Sequence, residues 1–241
     1  QEFYKLGCSY SISTGEEETY ITLNGLEENF DKALVLLESV IKDLQPEKDA
    51  LDNLVSDILK VRADNKLNKE KILWDAMFSY GKYGAKSPYT DIMTEQELAA
   101  IDPMQLINAI KELPNYKQKI LYYGPLSEDA LKTKLNNDYT LIPDNLKEAP
   151  VPVKYEELTT SDNTVYVVNY PDMVQAEILM LTKKENYDKD KIPYIALYNE
   201  YFGGGMAGIV FQELRESKAL AYSTFSSFTI PKKKKKAHYN L

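Results

Sequence analysis

The sequence predicts an α+β fold of antiparallel sheets with helices packed on one face. Three observations predict it. A period-two hairpin opens the chain and strand-like runs lie beyond residue 163, apolar stripes at helical spacing fill residues 30–80, and glycine or proline separates the segments. The first 25 residues read as a hairpin. Tyr10 and Ile12 alternate with serines, residues 19–24 repeat the alternation, and Gly15 with its glutamates forms a polar turn. A helix follows, with Phe30, Ala33, Leu34, Leu37, Ile41 and Leu44 on one face. Pro46 restarts the chain. Leu51, Leu54, Val55, Ile58 and Val61 form a second stripe, and Ile72, Leu73, Ala76, Met77 and Tyr80 a third that Gly81 and Gly84 loosen.

Local chemistry marks three further helix starts. Thr94 with Glu97 fits a capping box, Asp102 stands before Pro103 with Gln105 three positions on, and Ser127 precedes the stripe of Leu131 and Leu135. Between the last two, residues 119–124 read as a short buried strand. Residues 138–162 change character: Pro143, Pro150 and Pro152 punctuate a polar stretch, the best linker in the chain. Beyond it, 163–170 and 175–182 read as strands joined around Pro171 and Asp172. Residues 192–202 and 209–216 read as helices separated by glycines, and 220–228 as a strand. The expected domains are therefore 1–137 and 163–241.

Composition excludes several functions. At 241 residues, 44% hydrophobic and 27% charged, the chain can bury a sizeable core. A net charge of −8 argues against a nucleic-acid binder. Lys232 to Lys236 read as a solvated hairpin tip. No apolar run approaches the roughly 18 residues of a membrane span. Cys8 is the only cysteine, so no internal disulfide forms, and His238, the only histidine, reads as a solvated side chain. The chain begins at Gln1 without a methionine, so a piece of a longer protein is expected.

Gly203, Gly205 and Gly208 satisfy G-x-G-x-x-G, but they follow a helix rather than a strand, and no acidic residue stands about 20 positions later to hold a ribose. A nucleotide site is therefore rejected. The seven-residue step from Arg215 to Tyr222 carries more information. It puts a cation at a helix end and a phenol at the start of the next strand, where both can point into one cleft. Taken alone, Arg215 also suits a helix C-terminus by the dipole, and Tyr222 suits a half-buried strand.

Residues 198–228, "YNEYFGGGMAGIVFQELRESKALAYSTFSSF", resemble the second-half signature of the pitrilysin/insulinase family of zinc peptidases. There a helix ends in glycines, a second helix ends in Leu-Arg-Glu, and a Leu-Ala-Tyr strand follows. Residues 6–41, 94–113 and 119–131 are similar to other parts of such domains. The resemblance implies metallohydrolase domains of the pitrilysin and mitochondrial-processing-peptidase type, incomplete at both ends. It implies a parent that hydrolyses peptides, with zinc held elsewhere by an inverted His-x-x-Glu-His helix. One histidine cannot make that site, so no metal ligand and no cofactor is assigned to this chain. Its partners would be the peptide substrate and the zinc-bearing half, in the same protein or another subunit. Open sheet edges would also invite pairing with a second copy. The compartment stays open, with the bacterial periplasm as one candidate.

By the same resemblance, Arg215 and Tyr222 are the catalytic candidates. Hydrolytic attack builds negative charge on the peptide carbonyl oxygen, and a fixed phenol and guanidinium favour that state. Gly203, Gly204 and Gly205 are the substrate-binding candidates. They admit a substrate backbone, or they only let two helices cross. Ala219 stands where the family usually has glycine. If that turn is left-handed, the alanine costs about 1–2 kcal/mol. The alternative function is a non-catalytic scaffold or assembly domain of the same family.

Overall fold

The fold is that of a computed structural model, which describes residues 1–15, 18–140, 143, 145–159, 162–171, 173–231 and 237–241. It is α+β, with helices and two small antiparallel sheets. Two compact units form by packing: residues 1–59 with 93–154, and residues 60–92 with 155–241.

In the first unit, α1 (Glu2–Lys5) leads into the strands β1 (Ser9–Thr14) and β2 (Thr19–Asn24). The strands pair antiparallel with Ile12 opposite Ile21, as their alternation predicts. Helix α2 (Phe30–Lys42) buries Ala33, Leu34, Leu37 and Ile41, four residues of its predicted stripe. Phe3, Cys8, Ala33, Leu37 and Ile41 make the core, with Leu23 and Ile110 packed against it. Helix α3 (Lys48–Asn65) differs from its expectation. Only Leu51 is buried on it, and Leu54 and Val61 are exposed. Val55 and Ile58 are half-buried, so the stripe is covered only in part.

The capping signals fared better. Helix α4 (Lys69–Lys71) is capped by Asn68 and, with α5 (Phe78–Tyr83), belongs to the second unit. Helix α6 (Glu95–Ala99) opens on the reciprocal Thr94–Glu97 capping box. Asp102 accepts the Met104 N–H at 2.9 Å at the start of α7 (Pro103–Glu112), and Ser127 accepts the Ala130 N–H at 3.3 Å at the start of α8 (Glu128–Asp138). Residues 119–124 are not the buried strand expected. Leu121 and Tyr123 are exposed, and Tyr122 turns inward to donate to Glu27 at 2.9 Å and meet Phe30 edge-on. Ile120 is exposed as well, and no backbone ladder forms there among the described residues. In the 138–162 stretch, Lys147 exchanges backbone bonds with Asn115 and Lys117.

In the second unit, helix 69–83 widens into a π-helical turn at Ile72–Met77 between α4 and α5, and ends at Gly84, where φ is +78°. Residues 163–170 and 175–181 lie along it. Tyr166 meets Tyr80, and the Tyr170 hydroxyl bonds the Leu67 carbonyl. Returning, Glu177 pairs with Lys69, and Leu181 reaches Gly81. Side chains alternate as in strands: Val165, Val167, Ile178 and Met180 face out. The ladder expected over 163–182 is nevertheless absent among the described residues until β3 (Thr182–Asn186), which pairs antiparallel with β4 (Ala237–Asn240) across a bulge. Residues 227–229 return along β4, with Thr229 bonding Tyr239 and Ser227 bonding Leu241. Among the described residues, β1 and β2 pair only with each other, as do β3 and β4. The tip expected at Lys232 to Lys236, and Asp172, lie outside the described residues. Among the described residues no helix is long and apolar enough to cross a membrane.

Lys82, Glu157 and Lys183 knit this unit together. The buried Glu157 carboxylate lies 3.6 Å from Lys82 and 3.9 Å from Lys183. Lys183 also bonds the Glu157 carbonyl at 3.0 Å. Burial, and next the neighbouring Glu157 charge, pushes the Tyr239 phenol far above its ordinary range.

Candidate functional site

The site is built on the path from α9 (Ile192–Tyr198) to residue 228. Pro193 opens α9, and the helix widens into a π-helical turn at Asn199–Gly203. The Asn199 side chain holds Phe228 from both directions, donating to its carbonyl at 3.0 Å and accepting its N–H at 2.7 Å. The amide thus imitates a strand partner and fixes the far end of the 220–228 segment. The Tyr198 hydroxyl lies 3.1 Å from Ser226 Oγ.

The glycines serve this close approach. A Cβ on Gly203 would overlap the Ser226 carbonyl, and one on Gly204 would stand 2.6 Å from the Asn199 carbonyl oxygen. Gly205 has φ of +61° and open space around it. Two of the three positions are therefore occupied sterically by the protein's own backbone.

After these glycines, Phe211–Ser217 forms a second π-helical segment of this path, with the Lys218 N–H bonding the Glu213 carbonyl at 3.2 Å. Its end is a left-handed cap. Ala219 takes φ of +50°, its N–H bonds the Arg215 carbonyl at 3.2 Å, and the Leu220 N–H bonds the Leu214 carbonyl at 2.9 Å. The glycine-like turn exists even though alanine occupies it.

That cap returns the chain over the helix end and brings Arg215 to Tyr222. The guanidinium carbon is 4.6 Å from the Tyr222 ring centroid and 4.7 Å from that of Phe211. Phe211 was not singled out from the sequence, although its place four residues before Arg215 on one helix face is the signal for it. Arg215 also lies 3.6 Å from Glu216, and its side chain is one-third exposed. Tyr222 is 81% exposed. Among the described residues no hydrogen bond occupies its hydroxyl. The cation is held by two aromatic faces, while the phenol O–H remains open to a ligand.

His238 corrects its expectation. It is fully buried, not solvated. Nδ1 lies 2.8 Å from the Thr229 carbonyl, and Nε2 accepts the Asp188 N–H at 3.2 Å. Tyr187 stacks on its ring and Phe228 tilts against it. Both nitrogens are engaged by backbone, so this histidine is a structural pin at the sheet. Among the described residues no group of three His, Cys, Asp or Glu side chains is placed to hold a metal ion.

Comparison with known proteins gives the setting. The chain is 24% identical over 246 residues to an uncharacterized zinc protease of Rickettsia felis, covering 94% of this chain and 54% of the relative. Its fold matches the crystal structure of a peptidase M16 inactive domain from Pseudomonas fluorescens, with a TM-score of 0.64, 18% identity, and coverage of 99% of this chain and 57% of that one. It also matches the crystal structure of a protease from Helicobacter pylori, with a TM-score of 0.63, 15% identity, and coverage of 99% and 58%. The chain thus spans a little over half the length of these relatives. Residues 114–236, just over half of the chain, match the sequence model of the peptidase M16 inactive domain, and the chain belongs to that family.

Proposed function

We propose that this chain is the non-zinc half of a zinc-dependent endopeptidase, and that Arg215 and Tyr222 stabilise the tetrahedral intermediate of peptide hydrolysis. The single observation that carries this reading is the Arg215–Tyr222 contact at 4.6 Å beneath an exposed phenol with an open hydroxyl. The chemistry follows from charge. As the peptide carbonyl becomes tetrahedral, its oxygen gains negative charge. The Tyr222 O–H donates to that oxygen, and the Arg215 cation lowers the potential around it. The two rings that flank the guanidinium restrict its motion, so less ordering is left for the moment of reaction.

Zinc belongs to this reading only as the partner half's group, where it would activate the attacking water. The present chain contributes chamber wall and the anion-stabilising pair, from two family-type domains at 1–137 and 163–241 joined by 138–162. Gly205, left-handed with nothing beside it, is the glycine best suited to a substrate backbone. Gly203 and Gly204 support the pair by letting the 226 segment and the preceding helix approach.

Kinetics of the intact enzyme test the proposal. Tyr222→Phe removes only the donor. The expected result is a fall in kcat of about 100- to 1000-fold with KM little changed. Unaltered turnover would leave the chain as a scaffold of the same family.

A further inference from the structure

Two aromatic rings packed against each other have no part in the Arg215–Tyr222 chemistry. Phe225 follows Tyr222 by three residues, and Trp74 projects from the widened turn of helix 69–83. Their ring centroids are 5.7 Å apart with an interplanar angle of 31°. The pair is not closed over: Trp74 is 39% exposed and Phe225 45%. Rings of this size are the side chains whose burial stabilises a complex most. Left partly open against each other, they form a tilted apolar wedge.

Chain length ties the wedge to the reacting centre. Three residues span at most about 11 Å, so Phe225 lies within about three extended residues of Tyr222. A peptide whose carbonyl sits at Tyr222 can reach the wedge with a neighbouring residue. A polyanionic occupant is disfavoured by the net charge of −8.

We infer that Trp74 and Phe225 form an apolar subsite that receives a bulky aliphatic or aromatic side chain of the peptide, about two to four residues from the scissile bond. This rests on the Arg215–Tyr222 reading for the position of the peptide. It makes the pair a specificity determinant that selects bulky over small residues at one substrate position.

Trp74 is the chain's only tryptophan, so its emission reports this spot alone. The probes are two blocked hexapeptides that differ only by Phe or Ala at one position, titrated into the full chain. The Phe peptide is expected to shift Trp74 emission to the blue, saturably, at a concentration at least about tenfold lower than the Ala peptide. Phe225→Ala erases the preference and Phe225→Tyr keeps it, with circular dichroism establishing that both variants fold. Tyr222→Phe leaves the preference in place, since its hydroxyl takes no part in the apolar contact. Equal half-saturation by the two peptides, no Trp74 response to either, or a preference that survives Phe225→Ala overturns the subsite. The catalytic reading is judged separately, by turnover of Tyr222→Phe in the intact enzyme.

Discussion

Ala219 shows how one residue sets the geometry of the site. Its left-handed backbone, with φ of +50°, turns the chain so that Tyr222 returns to Arg215. A β-carbon is strained there by about 1–2 kcal/mol. Ala219→Gly relieves that strain, so we expect the midpoint of chemical denaturation to rise by the equivalent of about 1 kcal/mol; a fall would mean the turn is not strained. Gly203→Ala acts in the opposite sense. Its methyl would overlap the Ser226 carbonyl, so the helix end and the 226 segment must separate. A loss of about 1–3 kcal/mol is expected, and a neutral substitution would show that this approach is loose. At this scale the sequence was informative where chemistry is local. The cation, the phenol and the suspect alanine were all readable. That Phe211 also cradles Arg215 needed only the four-residue helical spacing, while the burial of His238 depended on strands brought in from elsewhere.

Among the elements, α2 and its cap from residue 140 form the clearest electrostatic unit. Glu38 is buried, and Thr140 donates to it from both its backbone N–H and its hydroxyl, with Lys42 adding an ion pair at 3.2 Å. Desolvation pushes its carboxyl upward, but the Thr140 and Lys42 interactions together outweigh that and hold it below the ordinary value of 4.5. A depressed carboxylate adds stability that is present above its unfolded pKa and is lost as pH falls through the folded one. Glu38→Gln should therefore be destabilised near neutral pH by about 1–3 kcal/mol, and its gap from the wild type should close as the pH falls below about 4.5. Denaturation curves at pH 7 and pH 3.5 check this, and a gap constant with pH would contradict it. The caps at Thr94, Asp102 and Ser127 were legible because each is decided within four residues. The strands expected at 119–124, 163–170 and 175–182 form no ladder among the described residues before Thr182. Alternation tells which side chains share a face; a ladder depends on a second backbone that no local pattern supplies. The π-helical turns at Ile72–Met77, Asn199–Gly203 and Phe211–Ser217 have no sequence signature of comparable strength.

For the molecule as a whole, fold class was legible from alternation and helical stripes, and the family most specifically from residues 198–228, because a glycine run, a helix end and a tight return are all local features. The packing units were not legible. Residues 60–92 join 155–241 through contacts such as Tyr80–Tyr166 and Trp74–Phe225, which no composition shift announces. The account's central claim is that Arg215 and Tyr222 bind the transition state better than the substrate. The most direct measurement compares the affinities of the intact enzyme for a phosphinic peptide, which mimics the tetrahedral carbon, and for the matching substrate peptide, in wild type and Tyr222→Phe. The account predicts that the variant loses affinity for the phosphinic peptide by about 100- to 1000-fold, while its substrate affinity stays nearly constant. Equal changes for the two ligands, or none for either, would contradict it.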